Sequence, residues 1–316
     1  MRSPSVLIIS TRADTATDEV AKRLTTRGTP HYRLNTEDYP FSQTMAYNPT
    51  ERDQWLCCNG QPIPPPTSVW YRRVRTGPTP DGMEEGVATF CRQEARAAII
   101  GSIMGQPTRW MSHPAAIWQA EFKPYQLQLA ATLGLRIPRT VITNEPARVR
   151  AAFRGFGSMI VKPTRTGYVQ TSNGEYAIYT SQVLEQHLNE VDGARWSPAI
   201  YQELIPKAYD VRVTIVGTRC VAALIDSQSD PAAVTDWRQT NNPALPHQTV
   251  TLPDSMVSKL HDLMGALRLT FGAIDLIQTT TGDYVFLEIN PSGQWLWLDD
   301  MLGLGISDMM TDWLAT

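Results

Sequence analysis

The 316 residues carry 28 Lys and Arg against 31 Asp and Glu, a formal net charge of -3, with 42% hydrophobic and 19% charged content. A balance this close to neutral, without a long basic run, argues against a nucleic-acid partner. The length exceeds what one hydrophobic core commonly supports, so two or three lobes are expected.

Cys57, Cys58, Cys91 and Cys220 show neither C-x-x-C spacing nor nearby paired histidines, so neither a zinc site nor a disulfide framework is indicated. The run VLIIS that follows the first five residues is too short for a signal-peptide core and far below the roughly 20 apolar residues of a membrane span. A reduced, cytoplasmic protein with no membrane partner is the expectation.

In chain order, Ser5 to Ser10 reads as a strand, Asp14 to Arg27 as a helix and His31 to Asn35 as a second strand, a βαβ start. No G-x-G-x-x-G follows the first strand, which excludes the usual dinucleotide fingerprint. Ser68 to Val74, SVWYRRV, is strand-like. Its period of two sends Arg72 and Arg73 to opposite faces, so at most one reaches a given site, and surface pairing accounts for either equally well. Met83 to Met104 is helical, and a domain boundary is expected near Arg109 to Ser112. Pro114 to Gly134 reads as one helix holding Lys123, with Gly134 as C′ residue.

Ser158 to Pro163 is a strand carrying Lys162; the chain has only five lysines. Thr164 to Tyr179 contains the Asn173 and Gly174 hairpin signal and is read either as a lid over a ligand or as a bare surface hairpin. Gln182 to Val191 is expected to be helical, with a second boundary around Asp192 to Pro198. Ala199 to Ile205, Tyr209 to Val216 and Arg219 to Ile225 are strands. Asp226 to His247 is too long for an ordinary connection and is therefore mobile or functional. Asp254 to Leu267 is an amphipathic helix.

Gly272 to Trp297 then reads as a hairpin, with a two-residue turn at Thr281 and Gly282 that sets Asp275 across from Glu288 and puts Asn290 on the face of Glu288. Like charges directly opposite destabilise a sheet, so a neutralising group is expected. Oxygen-only donors of this kind suit Mg²⁺, although a solvated acidic face fits the same pattern. Trp295 and Trp297 share a strand face and could line a groove or pack in the core, with packing preferred for one. The five histidines have no shared spacing and read as surface or structural residues.

Taken together, Lys123 with QLQLAATLGLRIPRT, Lys162 in VKP, Gln202 and Glu203 before Leu204, YDVRVTIVG, and Asp275, Glu288 and Asn290 resemble the ATP-grasp superfamily. VWYRRV and LEINPSGQWLW are similar to the graspetide synthetases, the microviridin-type peptide macrocyclases. The resemblance implies an α/β (α+β) ATP-grasp fold of three lobes, with ATP held between two α+β domains. The lobes are expected at 1-110, at 111-198 with the polar hairpin 164-179, and at 199-316 with the metal-binding hairpin 272-297. It implies ATP phosphates on Lys123 and Lys162, adenine at the hinge Gln202, Glu203, Leu204 and Ile205, and ribose on Asp210. Arg212 would meet the activated carboxylate, with Arg72 and Arg73 as further catalytic candidates, and Asp275, Glu288 and Asn290 would hold Mg²⁺.

The expected activity is activation of Asp or Glu side chains of a ribosomal precursor peptide, leader plus core, as acyl phosphates, followed by condensation with Thr or Ser hydroxyls. A homodimer is expected. The alternatives are amide crosslinks through Lys, a ligase adding a free amino acid to a protein or small molecule, and a nucleotide-binding regulatory module without catalysis. No G-x-S-x-G elbow or Walker A lysine is present, in keeping with chemistry that needs no protein nucleophile.

Overall fold

The computed structural model describes residues 5–51, 55–165, 167–171, 174–240, 242 and 244–316. It is an α/β structure of several separate sheets in two compact units. The first unit comprises Met1–Ile117, Arg268–Phe271 and Gln294–Thr316; the second comprises Trp118–Leu267 and Gly272–Gly293. Among the described residues, no helix is long and apolar enough to cross a membrane.

The first unit is built on the βαβ start. Val6–Ser10 is buried at every position, as a central parallel strand must be, and pairs with His31–Asn35 on one side and Ser68–Tyr71 on the other. The final helix, Ile306–Ala315, returns to this unit and places Asp308 2.6 Å from Arg23 of the helix Thr15–Thr26 and Asp312 2.6 Å from Arg27, the cap residue of that helix. The Ser68 hydroxyl donates to the Leu314 carbonyl at 2.6 Å.

Two larger sheets lie in the second unit. One carries Ser181–Val183, Met159–Lys162, Ala199–Glu203 and Thr140–Thr143 in that spatial order. The other carries His247–Val250, Arg219–Ile225, Lys207–Val216, Phe271–Thr279 and Tyr284–Asn290. A separate ribbon pairs Tyr168–Thr171 with Gly174–Ala177. Asn173 of the expected turn lies outside the described residues, while Gly174 has φ +132°.

Three expectations change. Pro114 to Gly134 is two helices, Pro114–Ala120 and Lys123–Thr132, because Pro124 cannot donate to the Ala120 carbonyl and Phe122 is extended. The Gln126 side chain donates to that carbonyl instead. Gly134 does close the second helix, with φ +74° and the Leu135 N–H returning to the Ala130 carbonyl. Gln182 to Val191 is not a helix; Ser181–Val183 extends the sheet and Glu185–Trp196 is 3-10 turns. Trp295 and Trp297 do not share a strand face, because Asn290 ends the strand by accepting the Ser292 N–H and Leu296–Leu302 is helical. Trp295 is fully buried and Trp297 half-buried.

The 271–290 hairpin reaches its expected pairing by a different route. Its turn spans three residues, with the Thr279 N–H bonded to the Asp283 carbonyl and Gly282 at φ +89°. That turn gives Gln278↔Tyr284 and Leu276↔Phe286, a register that would set Asp275 opposite Leu287. An irregularity between Asp275 and Leu276 adds one residue to the partner strand and restores Asp275↔Glu288. Without it, the period of two would turn Glu288 to the other face.

Candidate active site

Asp275 and Glu288 are neutralised by side chains from three other elements. Arg212, on the adjacent strand Lys207–Val216, donates through Nη1 to both carboxylate oxygens of Asp275, at 2.8 and 2.9 Å. Glu288 lies 3.0 Å from Lys123 Nζ and 3.9 Å from Lys162 Nζ. Lys162 Nζ also donates to the Leu287 carbonyl at 3.4 Å. Backbone packing fixes these positions. Gln126, buried in the helix that begins at Lys123, donates to the Ile289 carbonyl at 2.8 Å and accepts the Ile289 N–H at 3.0 Å. One amide side chain therefore substitutes for a neighbouring strand and holds Lys123 against Glu288. Gly293 is required by close approach, since a Cβ there would lie 2.8 Å from Arg212 Nη2 and 2.5 Å from the Ala273 Cβ.

The electrostatics follow from burial and uneven pairing. Burial alone would raise the Glu288 carboxyl, but Lys123, Lys162 and Arg238 outweigh it and hold it well below the ordinary range. Burial pushes the Lys162 ammonium down to about 8; Glu288 opposes the shift and Lys123, of like charge, adds to it. One carboxylate thus serves two lysines, and the more buried amine is left under-compensated. Burial also raises the Asp210 carboxyl, despite Lys207 at 2.6 Å.

A cleft of about 770 Å³, counted out to solvent, runs from the segment Gln202–Ile205 past Lys207 and Asp210 to Lys162, Asp275 and Glu288. A second hollow of about 1290 Å³ continues it, sharing Lys162, Thr180, Arg238 and Glu288 and adding Lys123, Arg165 and Asn290. In the segment Gln202–Ile205, the Glu203 and Leu204 N–H groups are engaged by the Arg139 and Ser158 carbonyls, and the Gln202 amide donates to Thr140 Oγ1. Glu203 turns its carboxylate to Arg139.

Asn290 falls two residues beyond Glu288 on the same face; its Oδ1 accepts the Ser292 N–H at 3.1 Å. Among the described residues, no group of three or more His, Cys, Asp or Glu is placed to hold a metal ion. Two carboxylates and one amide oxygen beside a cationic cleft nevertheless match what Mg²⁺ takes when substrate phosphates and water complete its shell.

Arg72 and Arg73 stand in the first unit. Arg72 is buried, with Nε 2.6 Å from Asp14 and Nη2 donating to Gln294 Oε1 at 2.6 Å. Arg73 is one-third exposed, 4.0 Å from the same aspartate.

The sequence reading missed Arg238. It is half-exposed in the cleft and held by Asp236 through Nε at 2.8 Å and Nη2 at 2.7 Å. The length of the Asp226 to His247 connection was the one available signal.

The two sheets, with lysines from separate elements over a carboxylate hairpin, define an ATP-grasp protein. Residues 5–117 match the family model described as the MvdD pre-ATP grasp domain. The macrocyclase MdnB of Microcystis aeruginosa MRC is 30% identical, with 98% of this chain and 99% of that chain covered and a TM-score of 0.78. The macrocyclase MdnC of the same organism, solved with the precursor peptide MdnA, is 29% identical over 98% of each chain, with a TM-score of 0.86. A ribosomal-peptide-associated ATP-grasp ligase of Chryseobacterium gregarium, solved with ADP and a leader and core peptide, is 25% identical, covering 98% of this chain and 96% of that one, with a TM-score of 0.87. The comparison with curated proteins gives no match. The chain belongs to the ATP-grasp ribosomal peptide maturases, the graspetide or microviridin-type macrocyclase family.

Proposed function

We propose that this protein is a cytoplasmic ligase that uses ATP to join Asp or Glu side chains of a ribosomal precursor peptide to Thr or Ser hydroxyls of the same peptide, closing macrolactones. The observation that carries the reading is the continuous cleft whose inner part is the Gln202–Ile205 hinge and whose outer part is ringed by Lys123, Lys162, Arg238 and Asn290. A nucleotide seated with adenine at the hinge and ribose toward Asp210 directs its phosphates to Lys162 and then Lys123. Phosphoryl transfer depends chiefly on positioning and charge neutralisation, which these cations supply. Asp275, Glu288 and Asn290 would hold Mg²⁺, which when bound would supply further neutralisation of the developing negative charge.

In the first step a peptide carboxylate oxygen attacks the γ-phosphorus and ADP leaves, giving an acyl phosphate. In the second, a hydroxyl of the same peptide attacks the acyl carbon; phosphate leaves and the hydroxyl proton is released. Arg212, whose Nη1 engages Asp275, is suited by its planar fork to hold acyl or phosphoryl oxygens as well. Holding both groups on one bound peptide supplies much of the rate.

The test is incubation of the protein with its precursor, ATP and Mg²⁺. Loss of one water per ring, with rings that open in mild alkali, supports the reading. Alkali-resistant rings would move it to amides, and a mass gain would move it to addition of a free amino acid.

A further inference from the structure

One carboxylate joins the connection after Arg219–Ile225 to Thr180, at the foot of the ribbon. Asp236 is buried, yet it lies in the irregular connection between Arg219–Ile225 and His247–Val250. Its oxygens accept four hydrogen bonds: from Arg238 Nε at 2.8 Å, Arg238 Nη2 at 2.7 Å, the Arg238 N–H at 3.2 Å and the Thr180 N–H at 3.1 Å. Gln239 Nε2 adds a bond to the Thr180 carbonyl at 2.8 Å. Thr180 is the last residue between the ribbon strand Gly174–Ala177 and the sheet strand Ser181–Val183, so both of its backbone polar groups are tied to the connection. With Nε and Nη2 turned to Asp236, Nη1 is the guanidinium edge with no partner among the described residues, in a side chain that lines both parts of the cleft.

We propose that Asp236 is a positioning residue: it aims Arg238 at the nucleotide phosphates and, through Thr180, couples their presence to the 164–179 hairpin. This rests on the nucleotide reading given above. A buried carboxylate that spends all its acceptor capacity on two segments transmits displacement, because losing either set of bonds leaves a desolvated charge under-satisfied. A phosphate on Nη1 fixes Arg238, which fixes Asp236 and removes freedom from the foot of the hairpin.

Hydrogen exchange of the full chain, with and without ADP and Mg²⁺, tests this. In the unsubstituted protein, ADP is expected to slow exchange in fragments covering 174–183 as well as in the cleft. Asp236→Asn should bind ADP at least about threefold more weakly and, at saturating ADP, protect the cleft but not 174–183. Gln239→Ala, which alters an exposed side chain and leaves Arg238 its partner, should keep ADP affinity and lose part of the 174–183 protection. Full 174–183 protection in Asp236→Asn, or an unchanged response in Gln239→Ala, overturns the coupling. No ADP binding by the unsubstituted protein overturns the nucleotide reading and this inference with it.

Discussion

Glu288 is a carboxylate held down by two lysines and an arginine. Asp275→Ala or Glu288→Ala should lower kcat/KM at least about a hundredfold, as removal of a group that stabilises transition-state charge does. Circular dichroism should show the fold retained, and near-normal turnover in either variant would remove the metal assignment. Lys162 makes a separate prediction for the protein free of nucleotide and metal. Its folded pKa, about 8, lies below the ordinary 10.5, so the unfolded chain binds the extra proton between those values and stability rises with pH across that window. The melting temperature of the unsubstituted protein minus that of Lys162→Met should therefore grow between pH 8 and 10. A difference that stays flat or shrinks contradicts the burial of an under-compensated ammonium.

At the scale of elements, the site depends on backbone features that place side chains to within one residue. Gly293→Ala must push Arg212 or the Ala273 strand aside. Overpacking of this sort costs about 1–3 kcal/mol, and both melting temperature and turnover are expected to fall together. Gln126→Leu should loosen Lys123 from Glu288 by unpinning Ile289, raising the KM for ATP more than it lowers stability.

Such features set the limit of what the sequence discloses. Period two with an assumed two-residue turn pairs Asp275 with Glu288, yet the turn is one residue longer and a strand irregularity offsets it; both depend on local backbone energetics that hydrophobic pattern does not register. Pro124 was visible, but the break it causes was not inferred, and the helix start it creates is what aims Lys123. Arg238 was illegible because its place comes from Asp236 and Thr180, a contact 56 residues apart in a segment without periodicity. Arg72 and Arg73 were not distinguishable in the sequence, because the burial of Arg72 against Asp14 depends on how the first unit packs.

For the whole molecule, the proposed function requires one chain to bind a nucleotide, neutralise its phosphates and hold a peptide through two successive attacks. The structure provides a continuous cleft with an inner part along Gln202–Ile205 and a wider outer hollow, an arrangement suited to a small cosubstrate behind a larger one. The relatives solved with precursor peptides share the fold over nearly the whole chain. Under this account, ADP release should require the peptide, since the acceptor of the phosphoryl group is a peptide carboxylate rather than water. The most direct measurement is the intact mass of the precursor after incubation with the protein, ATP and Mg²⁺. The account predicts a loss of 18 Da for each ring, the mass of one water, with ADP and phosphate formed in equal amount; an unchanged peptide mass alongside ATP turnover would contradict it.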